Sequence, residues 1–288
     1  MKLFVVPFLV LLITASLDGT AQAAKSQIPV NGKYQTVNGV KLYYEEYGKG
    51  VPLILIHGGL SSNKDLESMT REFSKFFRVI AVDCPGQGRS EQAESLSYQL
   101  MADYFLKMID QMKLDSAYVF GYSDGGNVAL LMGADRPDKV KRVAVFAAAS
   151  KTSGYYEEMI AGLDVLTPEI VEKDYKWWLD THLKVTPQKD KWKKFISDFS
   201  KMCANPVIVP AAKLREIDTR ILFVQGDNDI VKPEHAVELY RSVKGSQLSI
   251  IPAASHFILF EKPEVLNQVV YEFFTKEPKL FDWTTLGQ

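Results

Sequence analysis

Runs dominated by apolar residues recur at strand length along this chain: Val51 to Ile56 (VPLILI), Arg78 to Val82, Ala117 to Phe120, Val140 to Ala147, Arg220 to Gln225 and Gln247 to Ile251. A strand apolar on every position has both faces buried, which is the signature of a parallel sheet covered by helices. The segments between the runs carry helical spacing. Ser97 to Met112 places apolar residues at 101, 104, 105, 108 and 112 on one face, and Ser62 to Phe76, Val128 to Gly133, Pro233 to Val243 and Pro263 to Lys276 read as further helices. The chain opens differently, with alternating runs Tyr34 to Val37 and Val40 to Tyr47 around Asn38-Gly39, a two-residue hairpin signal. The predicted class is α/β: a mostly parallel twisted sheet with helices on both faces and an antiparallel edge.

Between Ser150 and Ala212 the alternation stops. Thr167-Pro168 is a helix start, and Trp192, Phe195, Ile196, Phe199 and Met202 mark a helix face, but no buried strand is evident. The organisation expected is a core of residues 24–149 and 213–288 interrupted by a helical lid, 150–212, whose aromatic residues pack the lid itself and in part line a pocket. Before the core, Met1 to Ala23 has Lys2, an apolar run from Leu3 to Ile13 and then Ala21-Gln22-Ala23, the order of a removable export signal. That run is too short to span a bilayer, so the expectation is a periplasmic or secreted protein with no membrane span once processed.

With 288 residues, 47% hydrophobic and 24% charged, the chain can bury a large core, and its formal net charge of -1 predicts no attraction to nucleic acid or an anionic membrane. A small molecule is the natural partner. The two cysteines, Cys84 and Cys203, can pair in an exported protein, although a core this size needs no staple. With the four histidines they show no metal-ligand spacing, so no metal or cofactor is expected.

The candidate chemistry starts at Gly121-Tyr122-Ser123-Asp124-Gly125-Gly126, squeezed between a strand and a helix. A serine in so tight a turn needs small residues two positions away, and the turn projects its hydroxyl at a helix N-terminus, where free N–H groups favour a developing negative charge. Such a hydroxyl needs a base, itself oriented by a carboxylate. His256 follows the last core strand, at the edge where ligands bind in open α/β sheets. His57 reads as shaping the Gly58-Gly59 turn, His182 lies in the lid and His235 on a surface helix. Asp227 and Asp229 both end the penultimate strand, whereas Asp83, inside Pro-Gly-x-Gly surroundings, reads as a structural carboxylate.

His57-Gly58-Gly59, Asp83 to Ser90, Gly121 to Gly125, Gly226-Asp227-Asn228-Asp229 and Ser255-His256-Phe257 resemble the successive signatures of the α/β-hydrolase fold superfamily, from about Tyr34 to Lys276. The resemblance implies Ser123 as nucleophile, His256 as base and Asp229, rather than Asp227, as orienting acid. It also implies an oxyanion hole built from the N–H groups of Gly59 and Asp124. A serine at 123 sets the chain apart from the haloalkane dehalogenase and epoxide hydrolase branches. The Ser-Asp-Gly-Gly elbow is similar to that of the valacyclovir hydrolase (biphenyl hydrolase-like) branch, which implies substrate contacts at Asp124 and a preference for esters carrying an amine. The activity implied is hydrolysis of a small ester, lactone or related acyl compound. Carbon-carbon bond hydrolysis or perhydrolysis on the same triad, or a non-catalytic binding role, are the alternatives. Trp177 and Trp178 are the lid residues expected to contact substrate.

Overall fold

The computed structural model describes residues 30–278 except positions 165 and 206, so the export segment expected over Met1 to Ala23 lies outside the described residues. Strands β1 (Gly32–Val37) and β2 (Val40–Tyr47) form the antiparallel hairpin through Asn38-Gly39, and β2 pairs antiparallel with β4 (Arg78–Val82). From there on every pairing is parallel, through β3 (Pro52–Ile56), β5 (Ala117–Tyr122), β6 (Val140–Phe146), β7 (Arg220–Asn228) and β8 (Gln247–Ser255). The eight strands lie in the order β1-β2-β4-β3-β5-β6-β7-β8.

The unbroken apolar runs are explained by the two layers they feed. In β3, Ile54 and Ile56 join one core while Leu53 and Leu55 join the other. The first layer packs against α2 (Tyr98–Gln111) and α3 (Asp124–Asp135), through residues such as Met101, Phe105 and Val128. The second packs against α1 (Glu67–Phe73) and α11 (Pro263–Thr275), through Phe73, Phe273 and Phe274. Each aliphatic side chain buried this way contributes about 1.5 to 3 kcal/mol, which specifies the register because a one-residue slip would exchange the layers.

Between β6 and β7 the chain forms α4 (Glu157–Asp164), α5 (Pro168–Asp174), α6 (Lys176–Val185), α7 (Trp192–Cys203) and the short α8 (Ala211–Arg215). Thr167 caps α5 by accepting the N–H of Ile170, and the apolar stripe of α7 is buried from Trp192 to Met202. The two ends of this insert are tied at its base, where the Ser150 carbonyl accepts N–H groups from both Ile208 and Val209 at 2.9 Å. After β7 come α9 (Pro233–Ser242), then β8, the single turn α10 (Ile258–Glu261) and α11.

Two elements differ from the sequence expectation. Strands β7 and β8 run on into polar residues as far as Asn228 and Ser255, because they pair with each other past an irregularity at Gly226. His235, expected at a surface, is buried: Ser150 donates its N–H to Nε2 (3.2 Å), and Nδ1 faces Glu238 (2.8 Å). The first turn of the insert covers that side of α9, a contact that the local spacing of α9 does not encode.

Candidate active site

Strand β5 ends at Tyr122 and α3 starts at Asp124, leaving Ser123 alone between them with φ 54° and ψ -118°. This left-handed conformation costs a serine on the order of 1 to 3 kcal/mol and persists only where its surroundings impose it. Here they do. Ser123 donates its N–H to the Phe146 carbonyl (2.9 Å), and its own carbonyl accepts from Gly126 (2.8 Å) and Asn127 (3.1 Å). A β-carbon on Gly121 would sit 2.7 Å from the Gly126 α-carbon, and one on Gly125 would sit 2.5 Å from the His57 carbonyl oxygen, so neither position admits a side chain.

His256 Nε2 lies 3.0 Å from Ser123 Oγ, and His256 Nδ1 lies 2.8 Å from Asp229 Oδ1. The extension of β7 and β8 explains how two residues far apart in sequence meet: Asn228 pairs with Ser255, so Asp229 and His256 are the residues immediately after the end of each strand. Asp229 Oδ1 also accepts the Val231 N–H at 3.1 Å, which fixes the carboxylate. Asp227 is exposed and takes the Ala254 N–H instead (3.2 Å). The His256 ring is buried beside Tyr122, 5.2 Å away between centroids, with Phe257 edge-on at 6.0 Å.

The neighbouring strand ends are knitted by two buried polar groups. His57 Nε2 accepts the Cys84 N–H (2.9 Å), which leaves Nδ1 to donate to the Gly58 carbonyl (2.6 Å). Burial pushes the pKa of His57 down to about 4, so the ring is neutral at physiological pH. Asp83 accepts N–H groups from Asn63 and Arg89, both at 2.8 Å, and its burial pushes the carboxyl up to about 6. Together they hold the Gly58-Gly59 loop against the elbow. A β-carbon on Gly58 would lie 3.3 Å from the β-carbon of Ser123, and one on Gly59 would strike the Asp124 carboxylate and sit 2.6 Å from the Phe199 ring. Gly59 and Asp124 are thus packed against each other beside the serine.

Ser123 and His256 open into a cavity of about 320 Å³ roofed by the inserted helices. Asp124 lies in its wall, where it accepts a hydrogen bond from the Tyr98 hydroxyl (2.7 Å), and burial raises its pKa. Trp177 and Trp178 also line the cavity but differ in setting. Trp177 is 40% exposed, whereas Trp178 is buried and donates its indole N–H to the Leu60 carbonyl at 2.7 Å, one residue beyond Gly59. Cys84 and Cys203 are separate buried thiols whose pKa values burial pushes well up, and Cys203 reaches the cavity.

Sequence reasoning passed over several lining residues, His182, Tyr98, Phe199 and Asp65 among them. A signal for one group was present: Trp177, Trp178, Thr181, His182 and Val185 follow helical spacing, and α6 turns that whole stripe to the cavity. Among the described residues that line the cavity there is no lysine or arginine.

Comparison with known proteins agrees with this fold. A family model described as alpha/beta hydrolase fold matches residues 51–191. The AB hydrolase superfamily protein YisY of Bacillus subtilis is 28% identical over 264 residues, covering 83% of this chain and 97% of that protein. A pimeloyl-[acyl-carrier protein] methyl ester esterase of Neisseria meningitidis is 28% identical over 239 residues, 76% of this chain and 91% of its own. Among solved structures, Est816, described as an N-acyl homoserine lactone degrading enzyme, superposes with a TM-score of 0.68 at 23% identity, covering 84% of this chain and all of that one (100%).

Proposed function

The chain belongs to the α/β-hydrolase fold superfamily, and on that footing we propose that it is a serine hydrolase of small esters, lactones or related acyl compounds. The observation that carries the reading is the hydrogen-bonded line from Ser123 Oγ through His256 (3.0 Å) to Asp229 (2.8 Å), opening on a roofed cavity. Asp229 accepts a hydrogen bond from the Nδ1–H of His256, which leaves Nε2 free to take the serine proton as Oγ attacks a carbonyl. The proton then passes to the leaving group, and water repeats the sequence to release the acid. The N–H groups of Gly59 and Asp124 are the donors proposed for the oxyanion, a role worth roughly 3 to 4 kcal/mol per donor in enzymes of this kind.

The cavity narrows the substrate class. At about 320 Å³ it is at the small end of ligand pockets, and its wall carries the Asp65 and Asp124 carboxyls without a cationic side chain. A substrate with free carboxylates would enter without a countercharge, so neutral acyl compounds fit best. One feature favours a second reading within the class: the Asp124 carboxyl beside the serine would pair with an amine next to the scissile carbonyl. Labelling with a fluorophosphonate, followed by peptide mapping, should place the adduct on Ser123, and Ser123→Ala should lower kcat toward short p-nitrophenyl esters by on the order of 10⁴ or more. Absence of both adduct and turnover would favour a non-catalytic binding protein. Turnover of an α-amino ester but not of its uncharged isostere would select the second reading.

A further inference from the structure

The stripe of α6 that faces the cavity contains three buried or hydrogen-bonded polar side chains beside the 40% exposed Trp177, and two of the three are already engaged within the protein. Trp178 donates its indole N–H to Leu60, and Thr181 donates its hydroxyl to the Trp177 carbonyl (2.9 Å). His182 is the third. It is only 7% exposed, it lines the cavity, and its ring nitrogens have no hydrogen-bond partner among the described residues. An apolar ligand that shut these nitrogens off from solvent would leave them unpaired at a cost of about 1 to 3 kcal/mol, a cost that a ligand able to hydrogen-bond them avoids.

The neighbours of this ring fix its plane. Its plane is nearly parallel to those of Trp178 (centroids 5.0 Å apart, 10°) and Phe195 (5.8 Å, 15°), and those two rings are themselves 6.4 Å apart. The three centroids make a triangle with an acute angle at the histidine, so both aromatic neighbours lie toward one side of it, and the residue also lines the cavity. Burial also pushes the pKa of His182 down to about 4, so at neutral pH the ring offers one N–H donor and one nitrogen acceptor, with no charge.

We infer that His182 forms a distal subsite that hydrogen-bonds a neutral oxygen, a ketone or hydroxyl, at the end of the substrate remote from the bond cleaved. A carboxylate at that end is disfavoured, because Asp65 and Asp124 stand in the same cavity with no cationic side chain to offset them. The inference rests on the hydrolase reading above but separates from it experimentally.

The test compares p-nitrophenyl esters of a straight alkanoic acid and of the equally long acid with a keto group beside its terminal methyl, using wild type and His182→Phe. Phenylalanine keeps an aromatic ring against Trp178 and Phe195 and removes both ring nitrogens. Wild type should prefer the keto ester in kcat/KM by about tenfold, the worth of one net hydrogen bond, and the variant should bring the ratio to within about twofold of unity. An equal ratio in the two proteins, or a wild-type preference for the alkyl ester, overturns the assignment while the hydrolase reading stands. If neither ester is turned over and Ser123 takes no fluorophosphonate, both readings fall. Should His182→Phe not fold, nitrogen-15 NMR of the wild-type histidine rings decides: His256 should respond to either product acid, and a second ring only to the keto acid. Identical responses to the two acids overturn the subsite.

Discussion

Gly125→Ala is the substitution whose outcome can be worked out most fully from the structure. The added β-carbon would lie 2.5 Å from the His57 carbonyl oxygen and 2.7 Å from the Ile56 carbonyl carbon, where ordinary contacts begin at 3.4 Å, so about 1 Å of separation must open. Strand β3 cannot supply it, being paired on both sides with β4 and β5. The start of α3 must retreat instead and carry Ser123 with it. A displacement near 1 Å at a reacting group costs about 100-fold in rate, and overpacking of this kind costs roughly 1 to 3 kcal/mol of stability. For a chain of this size that is a fall in Tm of roughly 2 to 5 °C. Gly133→Ala is the control, since it lies in the same helix and its nearest contact would be a Val143 methyl at 3.0 Å, a side chain and not backbone. The assay is kcat/KM on a short p-nitrophenyl ester beside a thermal melt of wild type and both variants. If Gly125→Ala keeps its Tm and stays within twofold of wild-type kcat/KM, the argument that this close approach positions the serine is wrong.

The choice of acid is tested by Asp229→Asn, which should lower kcat by on the order of 10⁴ because the imidazole loses the partner that sets its tautomer, whereas Asp227→Asn should stay within a few-fold. A larger loss for Asp227→Asn would reverse the assignment. His57 gives a pH prediction: its folded pKa of about 4 lies below the unfolded value of about 6.5, so the stability it contributes is complete above pH 6.5 and is lost as pH falls toward 4. Urea unfolding should find that wild type loses about 2 kcal/mol more than His57→Gln between pH 7 and pH 5, and parallel profiles would contradict a neutral buried ring. Asp83 works in the opposite sense, its stabilising share being lost as pH rises through about 6, which is why the difference between proteins and not the raw profile is the measurement.

Much of the architecture could be read from the residues alone, because it depends on local rules. Runs such as Val51 to Ile56 announce strands buried on both faces, Asn38-Gly39 announces the hairpin, and Gly121-x-Ser-x-Gly125 can be accommodated in few other ways between a strand and a helix. The chain by itself therefore determined the sheet, its layers and the tight turn at Ser123. Local pattern alone left Asp227 and Asp229 equivalent, since the polar ends of β7 and β8 carry no periodicity, and only the family resemblance singled out Asp229; the pairing of Asn228 with Ser255 is what sets it beside His256. The burial of His235 and the exposure of α6 to the cavity were equally out of reach, although the stripe from Trp177 to Val185 was written plainly. Local pattern states that a face is apolar. Which distant element covers that face is decided only when the helices of the insert dock on the sheet, and with that docking came a histidine that lines the cavity and whose ring nitrogens have no hydrogen-bond partner among the described residues.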